Sequence, residues 1–441
     1  MKKKAALHNL GCKVNAYEVD AMQQLLEQAG YEIVPFQPGA DVYVINTCTV
    51  TNIADRKSRQ MLHKAKKMNP EAIVVATGCY AQTGKENLDA DEAVDLILGN
   101  NRKKNLVEAL EEYERERRKQ SDVIEINETR EYETLSIQRT AEHVRAYLKV
   151  QDGCNQFCSY CIIPYARGRV RSREIPQVIR EVEALSKAGY QEVVLTGIHL
   201  SSYGADFPEE KRESLLSLIK RVHQVEGIRR IRLGSLEPRV VTEEFAREIA
   251  GLPKVCPHFH LSLQSGCDET LKRMNRRYDS GQFRESCRLL RSVYDRPALT
   301  TDIIVGFPME SQEEFEASLD FVDSIGFYET HVFKYSRRQG TRAAAMEGQV
   351  SEQVKGERSD RMLALHHRHA RDYESSLLGR TLEVLLEEEI QVGGQQYLVG
   401  HSREYVRTAI EKGDGWEVND ICRVQAEGFL EEHTLLGKAI R

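Results

Sequence analysis

Cys154-Asn155-Gln156-Phe157-Cys158-Ser159-Tyr160-Cys161 is the stretch on which the reading of this chain turns. Its three cysteines stand in a C-x3-C-x2-C spacing. Thiolates are the ligands that iron–sulfur clusters require. Three of them on a four-iron cluster leave one iron open to a substrate or cofactor, which a closed structural site would not. The competing readings are a structural zinc site or three incidental thiols, and no fourth Cys or His stands at zinc spacing. The run just before the group, residues 146–150, is strand-like, which puts the cysteines at the carboxyl end of a strand. Downstream, strand-like runs at 192–196, 230–233, 258–263, 300–305 and 330–335 alternate with helical runs near 175–188, 213–225, 242–250, 279–293 and 311–324. Six strands with five interposed helices predict a parallel barrel or open barrel whose working face is the strand C-terminal end. A helical run over 352–374 closes this unit.

Upstream, the first hundred residues predict a second α/β unit with a mostly parallel sheet. Strand-like runs lie at 4–10, 41–46 (DVYVIN) and 72–77 (AIVVAT), with amphipathic helices at 16–29 and 53–68 between them. Cys12, Cys48 and Cys79 each fall just after one of these strands. In an open parallel sheet those loops share one edge, the binding crevice, so three thiols distant in sequence are predicted to meet. Buried free thiols are the plainer alternative. Residues 103–120 read as a highly charged, solvated connecting helix and the stretch to Arg139 as linker. From residue 381 the pattern changes to short strands punctuated by Gly393-Gly394 and Gly413-Asp414-Gly415, the signature of a small β-barrel. The resulting division is 1–114, a linker 115–139, 140–372 and 373–441: an α/β chain with an N-terminal parallel α/β domain, a partial (β/α)6 barrel and a small C-terminal β-barrel.

Composition bounds the functional classes. Of 441 residues, 41% are hydrophobic, enough for real cores and too many for a disordered chain. No apolar run approaches the roughly 18 residues of a membrane span. The basic start Met1-Lys2-Lys3-Lys4 leads into no signal-peptide core, so the expected location is cytoplasmic, with no membrane partner. In a reducing compartment the ten cysteines are expected to stay unpaired. Cys256, Cys267, Cys287 and Cys422 show no ligand-like spacing. The net charge is −6, and residues 376–441 carry 7 basic against 12 acidic groups. Any polyanion must therefore be held by local patches.

The C-x3-C-x-aromatic-C group resembles the signature of the radical S-adenosylmethionine (SAM) superfamily. That resemblance implies a [4Fe-4S] cluster on Cys154, Cys158 and Cys161 whose open iron binds SAM, and reductive cleavage of SAM to methionine and a 5′-deoxyadenosyl radical. It also implies a place for Tyr160 against the SAM adenine. Thr196-Gly197, Ser235-Leu236-Glu237 and 301–308 (TDIIVGFP) resemble further parts of the SAM pocket, so Thr196, Gly197, Ser235 and Glu237 are candidate cofactor-binding residues. With LGCKVN, NTCTVT and TGCYA around Cys12, Cys48 and Cys79 and the C-terminal barrel, nearly the whole chain resembles the radical SAM methylthiotransferases. The resemblance implies a second [4Fe-4S] cluster on that triad, tied to sulfur insertion, and a TRAM-like RNA-binding barrel at the C-terminus. Within the family, LGCKVNAYE, LTGIHLSSYG, LHLSLQSG followed by LKRMNRRY, and FKYSRRQGTRAA are most similar to the branch acting on N6-threonylcarbamoyladenosine next to the tRNA anticodon. The implied reaction forms the 2-methylthio derivative and uses two SAM per product. The implied partners are the tRNA anticodon stem-loop and an electron donor such as flavodoxin or ferredoxin. Met309, where relatives have Gly after GFP, and Gln339, where many have Pro, depart from the pattern at loop positions.

Arg167, Arg169, Arg171 and Arg173 follow the cysteine loop at a spacing of two, which in an extended segment points them to one side. They are candidates to hold RNA phosphates beside a flipped-out base, against the alternative of a solvated or carboxylate-paired face. Arg338, with Arg337 and Arg342, is a similar candidate. His366, His367 and His369 read as surface residues. The rival functions are methylthiotransfer to isopentenyladenosine tRNA or to a ribosomal protein, and a non-catalytic iron–sulfur electron carrier or RNA-binding redox sensor.

Overall fold

The computed structural model describes residues 2–140, 144–413 and 415–440. Met1 of the basic start and Asp414 of the predicted turn lie outside them. The N-terminal domain is a six-stranded parallel sheet in the order Glu32–Ile33, Lys4–Asn9, Val42–Thr47, Ile73–Gly78, Leu96–Leu98, Gln120–Asp122. Its central strands, VYVINT and IVVATG, are buried along their whole length, as β-branched runs sandwiched between helices must be. The predicted charged connector is instead a one-turn 3-10 helix Lys103–Asn105 and a helix Leu106–Glu116. Leu106 and Leu110 are buried with Leu96 and Leu98, so it packs on the sheet. Ala109 and Tyr113 pack beside them, so one apolar stripe docks a helix whose other face is charged. The segment read as linker contributes the last strand, and its Ile126, Leu135 and Ile137 are buried.

In the second unit, parallel strands Ala146–Asp152, Glu192–Gly197 and Arg230–Leu233 form one ladder, and His258–His260, Ala298–Val305 and Glu329–Lys334 another. Bridges Ile231–Val255 and Leu236–Leu261 join them into a six-stranded partial barrel. Side chains alternate along each strand. Leu148, Val150, Val193, Leu195, Ile231, Leu233, Phe259, Ile303 and Val305 face the helices in one apolar core. The alternate positions, including Lys149, Glu192, Arg230, Arg232, His258, His260, Asp302 and His331, face the other way. The barrel interior is therefore a polar chamber and not the apolar packed core of a closed (β/α)8 barrel. Helix Lys13–Gln28 of the N-terminal domain packs against strand Ala146–Asp152.

The C-terminal unit is a closed five-stranded barrel in the order Thr381–Val392, Gln395–Ser402, Arg407–Glu411, Thr434–Ile440, Ile421–Glu431. It docks on the end of the large barrel where the strands begin. Tyr405 enters there, stacked on His258 at 4.8 Å and His401 at 4.5 Å between ring centroids. The guanidinium groups of Arg145 and Arg232 lie 4.9 and 4.7 Å from its ring centre. Arg230 and Arg232, both paired with Glu192, donate to backbone carbonyls of Glu383, His401, Ser402 and Arg403.

Met309 adopts φ 64°, with its N–H bonded to Gly348 O at 2.8 Å and its side chain exposed. The loop thus keeps the left-handed turn that a glycine adopts freely, and a methionine bears the cost. Met309→Gly is expected to raise thermal stability by about 1 kcal/mol, measured by calorimetry. A lower midpoint would mean that the Met side chain outweighs the strain.

Candidate functional site

Each triad is set by a glycine where the chain leaves a strand. Gly11 (φ 116°) precedes Cys12, and a Cβ on it would come within 3.2 Å of Cys48 Cβ and 3.3 Å of Cys48 Sγ. Gly78 (φ 92°) precedes Cys79, where a Cβ would stand 2.3 Å from Asn46 Oδ1. Gly153 (φ 70°) precedes Cys154, and a Cβ would collide with Arg169 O at 1.8 Å. These positions require glycine. Cys12, Cys48 and Cys79 are mutually close: the charge of Cys79 acts on both of the others. The same holds for Cys154, Cys158 and Cys161.

Burial pushes the thiols of Cys48 and Cys154 up to about 11 and that of Cys161 to about 12. Such thiols stay protonated until a metal replaces the proton. Their setting favours an anionic group. Arg167 donates through Nε to Cys79 Sγ at 3.2 Å, and Asn100 Nδ2 lies 3.6 Å from the same sulfur. Arg276 Nη1 donates to Cys158 Sγ at 3.2 Å. Beneath Cys79 lies a buried network in which Glu18 and Asp152 face four cations: Lys103, Lys149, Arg167 and Arg171. Burial alone would raise Glu18, but Arg167, Lys103 and Lys149 hold it well below the usual carboxylate range. Four buried cations against two carboxylates are a fitting seat for thiolate-bound iron and sulfide. Among the described residues, neither triad brings all its sulfurs within 4.8 Å of one another, whereas a single zinc ion would hold them about 3.8 Å apart. The donor sets fit two clusters.

The expected SAM-pocket residues lie at the strand ends beside the Cys154 loop. Tyr160 stands edge-on to Phe307, with centroids 6.5 Å apart, and its hydroxyl is 3.5 Å from Arg276 Nη1. Thr196 is buried and Gly197 ends its strand, held against Gln151. Ser235 Oγ meets Ser262 Oγ at 2.7 Å. Glu237 is bonded by His199 Nε2 at 2.9 Å and by Arg239. Burial pushes its pKa up, but those bonds outweigh it and hold the carboxyl near 2.

The arginine row does not face solvent. Arg167, Arg171 and Arg173 are buried. Arg167 binds Glu18 at 2.7 Å and Asn15 Oδ1 at 2.6 Å, Arg171 lies 3.6 Å from Asp152, and Arg173 pairs with Glu181. The segment is not extended throughout: Arg167 ends the helix Ile163–Arg167 and only Arg171–Ser172 is strand, so the four do not form one face, and partner carboxylates hold Arg167, Arg171 and Arg173 inward. Only Arg169 stays partly exposed, over the Phe157 ring at 4.7 Å. Arg338 is likewise engaged, with Asp55 at 2.7 Å and the Thr49 carbonyl at 3.0 Å, and ties the last barrel loop to the N-terminal domain. His369 is buried against Asp323 rather than at the surface. Sequence reading missed Glu18, Asp152, Lys103, Lys149 and Arg276. The one available signal was Asn15 and Glu18 recurring at helical spacing on the face that begins beside Cys12.

A cleft of about 660 Å³ opens between the domains, next to both cysteine loops, lined among others by Arg59, Tyr80, Tyr165 and Arg338. Residues 4–99 match the Uncharacterized protein family UPF0004, and residues 148–322 the Radical SAM superfamily. The chain is 41% identical over 421 residues to the threonylcarbamoyladenosine tRNA methylthiotransferase MtaB of Bacillus subtilis (strain 168), covering 95% of this chain and 93% of that protein. It is 41% identical over 397 residues to the protein of the same name from Aquifex aeolicus (strain VF5), covering 90% and 95%. Identity to the tRNA-2-methylthio-N(6)-dimethylallyladenosine synthase of Thermoanaerobacter pseudethanolicus is 34% over 388 residues, 86% of this chain and 81% of that one. The fold is similar to that of the radical S-adenosylmethionine methyltransferase TsrM from Kitasatospora setae, with TM-score 0.56 at 17% identity over 76% of this chain and 75% of that one.

Proposed function

This chain belongs to the threonylcarbamoyladenosine tRNA methylthiotransferase family of radical SAM enzymes, and on that footing we propose which residues carry its reaction. The enzyme converts N6-threonylcarbamoyladenosine in tRNA to the 2-methylthio derivative, using SAM and [4Fe-4S] clusters. Near-full-length identity to that branch, above the 34% shared with the dimethylallyladenosine branch, carries the reading. Cys154, Cys158 and Cys161 would hold the cluster that reduces SAM, and Cys12, Cys48 and Cys79 the one associated with sulfur. When bound, SAM supplies the 5′-deoxyadenosyl radical that activates C2 of adenine. The chain's own work is positioning. Arg276 and Tyr160 frame the SAM side, and the Glu18–Arg167–Asp152 network fixes the two cysteine loops relative to each other, so that radical, base and sulfur meet in one geometry. Arg169, and Arg59 and Tyr165 in the cleft, supply cations and an exposed aromatic ring for the anticodon loop. The setting is cytoplasmic, with a small electron-transfer protein as reductant. No helix among the described residues is long and apolar enough to cross a membrane.

The test is turnover of the reconstituted enzyme on two anticodon stem-loops. Threonylcarbamoylated RNA should be methylthiolated roughly 10²- to 10⁴-fold faster than isopentenylated RNA, because a site built to bond a polar substituent is left unpaired by an apolar one. Equal rates would remove the branch assignment and leave the family standing.

A further inference from the structure

Helix Glu352–Ser375, which closes the large barrel, carries His366 and His367, and the two-residue turn between the last two strands is Glu432-His433. The fold brings these segments together beside a recess of about 530 Å³. One ligand atom each from His367, Glu432 and His433 lie within 4.8 Å of one another. His433 Nε2 stands 3.9 Å from Glu432 Oε1, too far for a hydrogen bond. Donors that share one zinc ion at about 2.1 Å each sit roughly 3.4 Å apart. The His367 and His433 rings are 25° from parallel with centroids 5.9 Å apart, so small rotations of solvent-facing side chains close the set around one ion.

His433 Nδ1 donates to Glu374 Oε1 at 2.9 Å, and Glu374 is buried. That bond keeps the ring proton on Nδ1 and leaves Nε2 as the coordinating atom. A carboxylate behind a histidine is the usual support of a metal-binding imidazole, and it raises the basicity of the far nitrogen. His433 also adopts φ 60°, so the hairpin bears backbone strain to present an imidazole where Gly or Asn would turn more easily. His366 stands behind the set: its Nδ1 accepts the Thr330 N–H at 3.2 Å, and its ring stacks on His433 at 6.5 Å. Arg371 lines the same recess, but its guanidinium lies on the Phe429 ring, 3.4 Å from the centre, and Glu432 and Glu374 offset the charge of a dication. Two imidazoles and a carboxylate suit zinc and its neighbours, whereas magnesium and calcium take oxygen donors. We propose that His367, Glu432 and His433 bind one zinc-class ion, with Glu374 orienting His433, and that this ion clips the last hairpin of the C-terminal barrel to the helix that closes the large barrel. The site shares no residue with the cysteine triads and does not depend on the substrate assignment.

Zinc binding to the iron-loaded enzyme tests it. Native enzyme dialysed anaerobically against zinc sulfate with excess magnesium should retain one zinc per chain and keep its full iron content. Glu374→Gln should weaken zinc binding about 10- to 100-fold, and His367→Ala or His433→Asn by more than that. Asn at 433 keeps the left-handed turn, and His367 is an exposed position of its helix, so both variants should fold as the native chain does. Zinc should raise the unfolding midpoint of the native enzyme and leave that of His367→Ala unmoved. Native enzyme that retains no zinc, takes it up only at the expense of iron, or yields it to magnesium overturns the proposal. So does zinc held equally well by native and His367→Ala enzyme. If Glu374→Gln fails to fold, His367→Ala and His433→Asn decide.

Discussion

Alanine at any one of Cys154, Cys158 or Cys161 should reduce both 5′-deoxyadenosine formation and RNA methylthiolation at least about 10³-fold, because radical generation has no other route. The triple variant Cys12→Ala/Cys48→Ala/Cys79→Ala should separate the two activities. Its barrel, the Cys154 loop, Tyr160 and Arg276 remain in place, so reductive cleavage of SAM should persist within roughly 10-fold of native. The slowing comes from Arg167, which loses its Cys79 acceptor while still holding Asp152, two residues before Cys154. Methylthiolated RNA should be undetectable, since C–S bond formation also needs a sulfur held at the base. Iron analysis supplies the control: about eight iron atoms per native chain and about four in the triple variant. Product from a folded triple variant would show that those cysteines are not the sulfur-insertion site.

Glu18→Gln should be the most destabilising single change outside the apolar cores. Glu18 is fully buried, with Arg167, Lys149 and Lys103 at 2.7, 2.7 and 3.3 Å. The amide keeps the shape but leaves four buried cations facing Asp152 alone. Breaking a buried network in this way costs about 3–5 kcal/mol, or a fall of roughly 6–20 °C in the unfolding midpoint of the affected domain. The sign with pH follows from the depressed pKa of Glu18. Its contribution is complete above the ordinary glutamate value of 4.5 and is lost only as pH falls toward the folded-state value. The difference between native and variant should therefore be flat from about pH 6 to 8 and shrink in acid. The exposed pair Arg247–Glu243 is the comparison: Arg247→Ala should cost less than about 0.5 kcal/mol. A Glu18→Gln midpoint within that small range would mean the network is not holding the domains together.

The strand ends and both cysteine triads were legible because local signals sufficed: β-branched runs, a glycine at the exit, a thiol one residue on. The arginine row shows where such reading stops. A period of two puts side chains on one face only in extended chain, and Arg167 instead ends the helix Ile163–Arg167. Whether its side chain meets water depends on Glu18, 149 residues before it, and no local pattern reports that. The same holds for helix Leu106–Glu116, whose many charges outweighed Leu106 and Leu110 in the sequence. It holds again for Tyr405, an unremarked loop residue whose role exists only once His258, Arg145 and Arg232 surround it. Met309 is the opposite case. A departure visible in sequence turned out to be a local strain that the loop absorbs without changing course.

The seal made by Tyr405 bears on how the enzyme is organised in time. The small barrel covers the end of the chamber where the strands begin, which leaves the end beside the cysteine triads for reagents. A macromolecular guest seated there should slow the exchange of a spent small molecule behind it. The C-terminal barrel is thus a wall of the reaction vessel. Trimming it away should open the chamber to bulk water from below, and that loss should register as SAM cleaved without methylthiolated product.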